Sequence, residues 1–331
     1  MPTSYARSEN VQVIIGRESA FGVGDTGTPI GHKLVLAAVS GGRTQEWDAS
    51  PILRGDPFEG EPIYGMDRVQ LTLRMATTIR TLPLILTGIG ALAVSGTGDP
   101  YTHTAKGSST RGNSFWIERW NSDRARGDRF YGLRPAGLRL SIGNKGPQPL
   151  LLEVPLVGSG DPSTSNRSQS TRVDATPDTY DTDVVHTLKN ATLQVGGATT
   201  SIIEQFDLSI GFNMTPFDPL DGAAVSDDVL EDAYIVTGRL TGIFDQADTI
   251  RGYANEITRQ AIVLTSPTPQ DTVHPITFTV PRAACNVTAD PEHSGRGPVR
   301  ASVEFRAAYD STNLSSWVVT VLNAVSSYTS W

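Results

Sequence analysis

The segment Gly22-Val23-Gly24-Asp25-Thr26-Gly27 comes closest, in residue types and spacing, to a ligand site. Its glycines are spaced as in a dinucleotide fingerprint, and the apolar residues 11–15 precede it. A working fingerprint needs a helix that begins within it, because the helix amides receive the pyrophosphate. Pro29, Gly31 and a strand-like run follow instead. The segment therefore indicates an extended arm rather than a nucleotide site.

Metal ligands and nucleophiles are no better placed. The single cysteine, Cys285, excludes an internal disulfide and a cysteine metal cluster, and its apolar neighbours favour a small buried residue over a nucleophile. Neither a Gly-x-Ser-x-Gly elbow nor a Gly-Lys-Ser/Thr phosphate loop is present. No two histidines have metal-ligand spacing; they are His32, His103, His186, His274 and His293. We therefore expect no catalytic residue, no metal and no cofactor, and hence no enzyme.

Charged residues cluster at two places, and solvent exposure explains both without a ligand. Residues 218–232 hold six acidic side chains and no basic one, but lack the ordered ligand set of a calcium loop, so we expect a solvated loop. The second cluster is basic and consists of Arg124, Arg126, Arg129 and Arg134. Because Asp123 and Asp128 interrupt it, a solvated hairpin or a subunit contact is favoured over a phosphate site.

The composition describes a turn-rich protein that is mainly β. Among 331 residues, 38% are hydrophobic, and 32 glycines and 21 prolines argue against long helices. The net charge of −8 is uneven: residues 1–165 carry 17 basic and 15 acidic side chains (+2), and residues 166–331 carry 10 and 20 (−10). This balance implies no basic face for gripping nucleic acid. The longest apolar run, residues 82–94, is too short to cross a bilayer, so we expect no membrane anchor.

Short patterns of the first half recur in the second half in the same order. This is typical of two related domains with unequal loops, although similar patterns also arise by chance in any all-β chain. Near the end of each half, Gly146-Pro147 with Glu153 recurs as Gly297-Pro298 with Glu304, at an offset of 151 (304 minus 153). The earlier matches are Trp47-Asp48 with Phe206-Asp207 and Pro57-Phe58 with Pro216-Phe217 (offset 159, 206 minus 47), residues 71–75 with 236–240 (offset 165), and residues 78–80 with 249–251 (offset 171).

The repeat divides the chain into an N-terminal arm at 1–33, a first domain at 34–160, a linker or surface loop at 161–185, and a second domain at 186–331. Apolar and polar residues alternate over 69–75 and again over 202–212, which predicts half-buried strands. Residues 33–48 indicate a strand pair. A short amphipathic helix is expected in each domain, at 77–93 and at about 248–260. The expected fold is thus two related β-sandwich or barrel domains, each flanked by one short α-helix.

Elements in this order resemble the tail tube proteins of long-tailed bacteriophages. Residues 14–22, Ile-Ile-Gly-Arg-Glu-Ser-Ala-Phe-Gly, are similar to the Gly-x-Glu-x-x-aromatic-Gly opening of that family. Arg54-Gly55 then precedes a long acidic loop, a strand and a helix that ends near Gly90. Tyr101-Thr102-His103-Thr104 and Ser114-Phe115-Trp116-Ile117-Glu118-Arg119 follow, before paired strands at 138–157. The resemblance covers nearly the whole chain.

The resemblance implies a structural virion protein. Sheets of neighbouring subunits would join side by side into rings, and the rings would stack into a hollow tube that holds the tape-measure protein and conducts double-stranded DNA into the host. A chain with two such domains resembles the members that build a pseudo-sixfold ring from three subunits. Tail terminator and distal tail proteins are further implied partners, with assembly in the host cytoplasm and a final location in the virion tail.

The polar faces of the alternating strands are the expected lumen wall. Their candidates are Gln70, Thr72, Arg74, Gln205, Asp207, Thr237, Arg239 and Thr241, with Leu71, Leu73, Phe206, Leu208 and Val236 packed behind them. The two arginines depart from a purely acidic lumen, so pairing with carboxylates of neighbouring strands is an open alternative. Inter-ring contacts are expected from the arm and the long loops, at Glu18, Phe21, Asp56, Phe58, Phe217 and Asp218. Deletion of residues 1–20 should then leave a folded protein that no longer polymerises.

A carbohydrate-binding or adhesive β-sandwich protein, free or carried on a virion, is the alternative. Exposed aromatic platforms would favour it, and the candidates are Trp116, Trp120, Trp317 and Trp331.

Overall fold

A computed structural model describes residues 11–22, 30–48, 63–143, 149–159, 169–179, 183–187, 189, 191–218, 226, 228–244, 249–254, 259–266, 273–289 and 299–328. The first half contains β1 Val11–Arg17, β2 His32–Lys33, β3 Leu36–Asp48, β4 Ile63–Ala76, α1 Thr81–Ile89, β5 Ala91–Ser95, β6 Tyr101–Lys106, β7 Phe115–Asn121, β8 Arg126–Pro135, β9 Gly137–Ile142 and β10 Leu151–Gly158. The second half contains β11 Thr192–Val195, β12 Ala198–Thr199, β13 Ile203–Gly211, β14 Met214–Phe217, β15 Asp228–Glu231, β16 Ile235–Ile243, α2 Thr249–Gly252, β17 Gln260–Ser266, β18 Ile276–Ala289, β19 Arg300–Ala307 and β20 Val318–Asn323. The expected mainly β fold is confirmed.

Eight antiparallel strands form a continuous central sheet through both halves. Their order is β3, β4, β10, β9, β13, β16, β19 and the second part of β18. The two halves meet at the pairing of β9 with β13, which runs from Gly137 opposite Gly211 to Ile142 opposite Phe206. We call this pairing the internal junction.

A second layer of strands covers the apolar face of the central sheet. In the first half, β1 pairs with β2 and β7, and β7 pairs with β8. In the second half, β17 pairs with β11 and β18, while β20 pairs with β18 and with β6 of the first half. Apolar side chains from both layers and from α1 share one core, so burial of apolar surface holds the layers together.

The strand pairings of the first half recur in the second. The pairs β1–β7, β7–β8, β3–β4, β4–β10 and β10–β9 correspond to β11–β17, β17–β18, β13–β16, β16–β19 and β19–β18. The registers agree as well, because Arg74 lies opposite Glu153 as Arg239 lies opposite Glu304. This register supports the offsets of 165 and 151. The division into domains at 34–160 and 186–331 stays a prediction.

The match of Trp47 with Phe206 is wrong. Trp47 lies opposite Tyr64, at the far end of the long β3–β4 pair. Phe206 lies opposite Leu240, and the first-half counterpart of that pair is Leu36 opposite Met75. The true offset is therefore 170 at Leu36 (206 minus 36), and it is 169 (207 minus 38) from Ala38 onward, because β3 has a β-bulge between these two residues.

Part of the predicted arm belongs to the fold. Residues 11–17 form β1, which pairs along its whole length with β7. Ile14 and Ile15 are fully buried, and Val13 is nearly so. Consecutive buried residues mean that both faces of the strand are covered. The expectation that residues 1–20 can be removed without loss of the fold is therefore wrong.

The predicted helices differ in outcome. Residues 77–93 contain α1, in which every residue except Thr87 is buried. Of the predicted helix at 248–260, the structure describes residues 249–254 and 259–260, which contain the single turn α2 and the first residue of β17, Gln260. The predicted strand pair at 33–48 is also wrong, because residues 36–48 form the single long strand β3.

Candidate assembly surface

The polar face of the central sheet is the candidate assembly surface, and the expected alternation is confirmed there. Gln70, Arg74, Gln205 and Arg239 are exposed, while Thr72, Asp207, Thr237 and Thr241 are half-buried. The apolar residues between them, Leu71, Leu73, Phe206, Leu208 and Val236, are all buried. The strand register thus places the eight candidates on one face, away from the core. Their position in a lumen stays a prediction.

Charges of opposite sign alternate from strand to strand across this face. Arg74 on β4 lies opposite Glu153 on β10, and Glu153 lies opposite Arg139 on β9. Beyond the internal junction, Arg239 on β16 lies between Asp207 on β13 and Glu304 on β19. We call the row Arg74, Glu153, Arg139, Asp207, Arg239, Glu304 the charge ladder. The alternative that Arg74 and Arg239 face carboxylates of neighbouring strands agrees with these registers.

Direct bonds within the charge ladder are formed near the internal junction. Arg139 Nη1 donates to Glu153 Oε1 at 3.2 Å. The Ser141 hydroxyl donates to the carboxylate of Asp207, directly opposite it across the junction. Opposite charges on adjacent strands contribute a few tenths of a kcal/mol to about 1 kcal/mol per pair. These contacts therefore fix register more than they add stability.

The charge ladder lines a concavity of about 1300 Å³. The strand β19 adds Arg306, which lies opposite Thr237 and Ala284. Among the charged residues that line the concavity, four arginines face three carboxylates, so the surface is nearly neutral. In the described part of the chain, no group of three or more His, Cys, Asp and Glu residues could hold a metal ion.

Three members of the charge ladder, Arg139, Glu153 and Glu304, were missed as surface candidates. The same signal could have found Arg139 and Glu304, because apolar and polar residues also alternate over 137–142 and 300–306, whereas Glu153 is the one polar residue in the apolar run 150–157. Glu153 and Glu304 were noticed only as marks of the internal repeat.

The described part of the acidic loop is not fully solvated as expected, because the β14–β15 hairpin docks on the first half. Arg134, whose side chain is 8% exposed, donates to Glu231 at 3.2 Å and lies 3.5 Å from Asp228. Asp228 also pairs with Arg111, and Ser226 N donates to Ser159 O at 3.0 Å. Asp218 pairs with Arg68 of β4 at 2.9 Å. The negative charge of the second half is thus partly matched by arginines of the first half.

The inter-ring candidates have different positions. Glu18 is buried and accepts hydrogen bonds from Gly132 N at 2.8 Å and Gly22 N at 3.1 Å, while the Phe21 ring lies 5.1 Å from the Arg134 guanidinium. Phe217, in contrast, is 47% exposed at the end of β14. Asp56 and Phe58 lie outside the described residues. The inter-ring role of these residues stays a prediction.

Burial holds two histidines and the single cysteine in their neutral forms. Burial lowers the pKa of His32 to about 4, outweighing the raising effect of Asp178, whose carboxylate lies 3.4 Å away. Burial likewise lowers the pKa of His103, although its Nε2 lies 2.8 Å from Val325 O. Burial raises the pKa of the Cys285 thiol to about 11, so a thiolate nucleophile is unavailable near neutral pH.

The aromatic platforms that would favour a carbohydrate-binding module are not formed by the described tryptophan candidates. Trp116, Trp120 and Trp317 are all buried, and Trp331 lies outside the described residues. No helix in the described ranges combines the length and apolar character needed to cross a membrane.

A family comparison agrees with the mainly β architecture. The model of a phage tail tube protein family matches residues 8–307, nearly the whole chain. The chain belongs to that family. A search among curated proteins found no match. Membership makes this protein a structural component of the virion tail that assembles with itself into a tube. The charge ladder lies on the polar face of the central sheet, to which both halves contribute strands.

Proposed function

We propose that three copies of this tail tube protein close into a ring with pseudo-sixfold symmetry, and that rings stack into the tube. The observation that carries the proposal is the central sheet, in which each half contributes four strands in the same order and register. A chain that already contains two equivalent units needs three copies to give six. Pairing of free sheet edges between copies also removes the aggregation hazard of unpaired strands.

The polar face of the central sheet is proposed to line the lumen. A polyanion adheres to a wall that offers Lys and Arg without compensation, because neutralised phosphates release counterions. In the charge ladder, each arginine instead lies opposite a carboxylate of a neighbouring strand. Such a wall is suited to hold the tape-measure protein and to let double-stranded DNA pass without adhesion.

The partners and the place of action follow from the same proposal. Contacts between rings come from the long loops and from exposed residues such as Phe217, and the ends of the tube meet tail terminator and distal tail proteins. Subunits assemble in the host cytoplasm. The protein has a structural role and is not an enzyme, which is supported by its family and by the neutral state of the buried His32 and the half-buried Cys285.

Electron microscopy of the purified protein tests the proposal. We expect rings or tubes whose end-on views show sixfold pseudo-symmetry, and three chains per ring by native mass spectrometry. Six chains per ring would overturn the stoichiometry. Monodisperse monomers at high concentration would overturn the tube itself.

A further inference from the structure

The central sheet ends in two strand edges that no described strand covers. The outer edge of β3 is one, since β4 is its partner on the other side. The outer edge of residues 284–289 of β18 is the other, because these residues pair with β19 and the β17 pairing stops at Ala283. Each edge presents backbone donors and acceptors that a further strand can satisfy.

The internal junction shows what fits these edges. It joins β9 to β13, and the recurring pairings make β18 the counterpart of β9 and β3 the counterpart of β13. Residues 284–289 of β18, at the end of the central sheet, therefore present the kind of edge that β9 presents to β13. A second copy of the chain carries the matching edge on its own β3.

The register of the contact follows from two equivalences. Asn286 lies opposite Glu304 as Arg139 lies opposite Glu153, so Asn286 occupies the position of Arg139. Ser40 lies opposite Thr72 as Ser209 lies opposite Thr237, so Ser40 occupies the position of Ser209. In the internal junction, Ser209 lies opposite Arg139.

We propose that β3 of one copy pairs antiparallel with β18 of a second copy, in the register that sets Ser40 opposite Asn286. This inference rests on the proposed ring and adds its residue-level contact. The same register sets Gly42 opposite Ala284, Gly41 opposite Cys285 and Val39 opposite Val287.

The side chains at this contact differ from those of the internal junction. The internal junction carries Arg139 and Asp207, whereas Asn286 and Ala38 occupy the corresponding positions of the two free edges. Small neutral residues allow close approach of two backbones without like-charge repulsion. The contact between copies therefore depends on backbone hydrogen bonds, and its strength should vary little with salt.

The charged side chain of Arg119 is bonded to the β3 backbone near this contact. Its Nη1 donates to the carbonyl of Gly41 at 3.1 Å, while its guanidinium lies 4.7 Å from the Phe130 ring. A carbonyl oxygen has two lone pairs, so the new strand can share this acceptor.

Disulfide trapping tests the register in the full-length chain. The variant Ser40→Cys/Asn286→Cys, made with Cys285→Ala, should form chain-to-chain disulfides in assembled rings on mild oxidation. A matched control, Ser209→Cys/Arg139→Cys in the same Cys285→Ala background, should form a disulfide within one chain. That disulfide would show that the geometry of the internal junction permits a disulfide bond. Thr44→Cys/Asn286→Cys, displaced by four residues along β3, should stay unlinked.

The outcomes separate this inference from the ring on which it rests. Covalent trimers from the Ser40 pair support the register. Rings that link through the Thr44 pair, or that do not link through the Ser40 pair, overturn the register and leave the ring intact. If wild-type protein forms no rings, the proposed function fails and the inference fails with it.

Hydrogen exchange gives a second measurement that needs no substitution. Amides of residues 39–42 and 284–287 should exchange at least about tenfold more slowly in assembled tubes than in dissociated chains, because the pairing protects part of them. Equal exchange in the two states would overturn the contact even if the cysteine variants failed to fold.

Discussion

The two halves of the chain share their strand pairings but differ in how they use their helices. In the first half, the nine residues of α1 are almost all buried in the main core. In the second half, α2 is a single turn whose one buried residue, Ile250, packs in a small separate cluster with Ala301 and Val303. Backbone pairing holds the common sheet, whereas the covering elements can change as long as the apolar face stays covered. The two halves thus share the strand pairings of the central sheet but differ in how their helices pack against it.

The largest expected effect tests the unequal packing. Ile85→Ala removes a fully buried side chain from the main core and should lower the free energy of unfolding by about 3–4 kcal/mol, because the cavity cannot collapse. Ile250→Ala should cost about 2 kcal/mol, since partly buried neighbours such as Phe244 can move into the space. Urea unfolding of dissociated chains measures both. Equal losses would show that the two helices support the fold to the same degree.

The docking of the acidic hairpin tests whether the halves stabilise one another. Arg134→Ala leaves Asp228 and Glu231 without their buried partner and should cost about 2–3 kcal/mol. It should also increase proteolysis of the hairpin. Arg124→Ala, at an exposed turn of the same basic cluster, is the control and should change stability by less than about 0.5 kcal/mol. An Arg134 variant as stable as this control would mean that the hairpin docks without help from charge.

Acid should weaken the first half through His32. The folded state lowers the pKa of this imidazole from 6.5 to about 4, so the neutral form is favoured by folding. The stabilisation is present in full above pH 6.5 and is lost as pH falls towards 4, by about 3 kcal/mol in total, since each pH unit between the two pKa values is worth about 1.4 kcal/mol. Asp178 and Asp174 oppose the shift and Arg80 adds to it. His32→Gln should flatten the fall in unfolding free energy between pH 6.5 and 4.5; an unchanged slope would assign the acid sensitivity to other groups.

The smallest expected effects test whether the two halves of the central sheet are equivalent. Double-mutant cycles on Arg74 with Glu153, and on Arg239 with Glu304, should give coupling energies of about 0.2–1 kcal/mol each. The two values should agree within about 0.3 kcal/mol, because the pairs hold corresponding positions. Coupling in one pair and none in the other would break the equivalence that the register indicates.

The polar and apolar faces of β4 and β13 could be predicted from the sequence, because a period of two leaves one choice of face once the core side is apolar. The arm was misjudged for the opposite reason. Residues 13–16 of β1 are all buried, so no alternation marks them as a strand. The false match of Trp47 with Phe206 shows that an aromatic-Asp pair is too common to fix a register.

Contacts between distant segments could not be predicted. Arg134 and Glu231 are 97 residues apart (231 minus 134), and nothing local to either shows that the acidic loop folds back on the first half. The described part of the second predicted helix is the single turn Thr249–Gly252, and its one buried residue, Ile250, gives it little packing to support a longer helix. In both cases the structure of the segment depends on the residues that pack against it, which are distant in sequence.

The alternating signs of the charge ladder give its electric field a short range. Neighbouring strands lie about 4.8 Å apart, so the sign of charge repeats about every 9.6 Å across the sheet. The potential of such a row falls by a factor of e over roughly 1.5 Å, the period divided by 2π, which is far shorter than the Debye length of about 8 Å in physiological salt. A charged molecule two or three water layers above this face would encounter an almost uniform potential, although each strand beneath it carries a full charge.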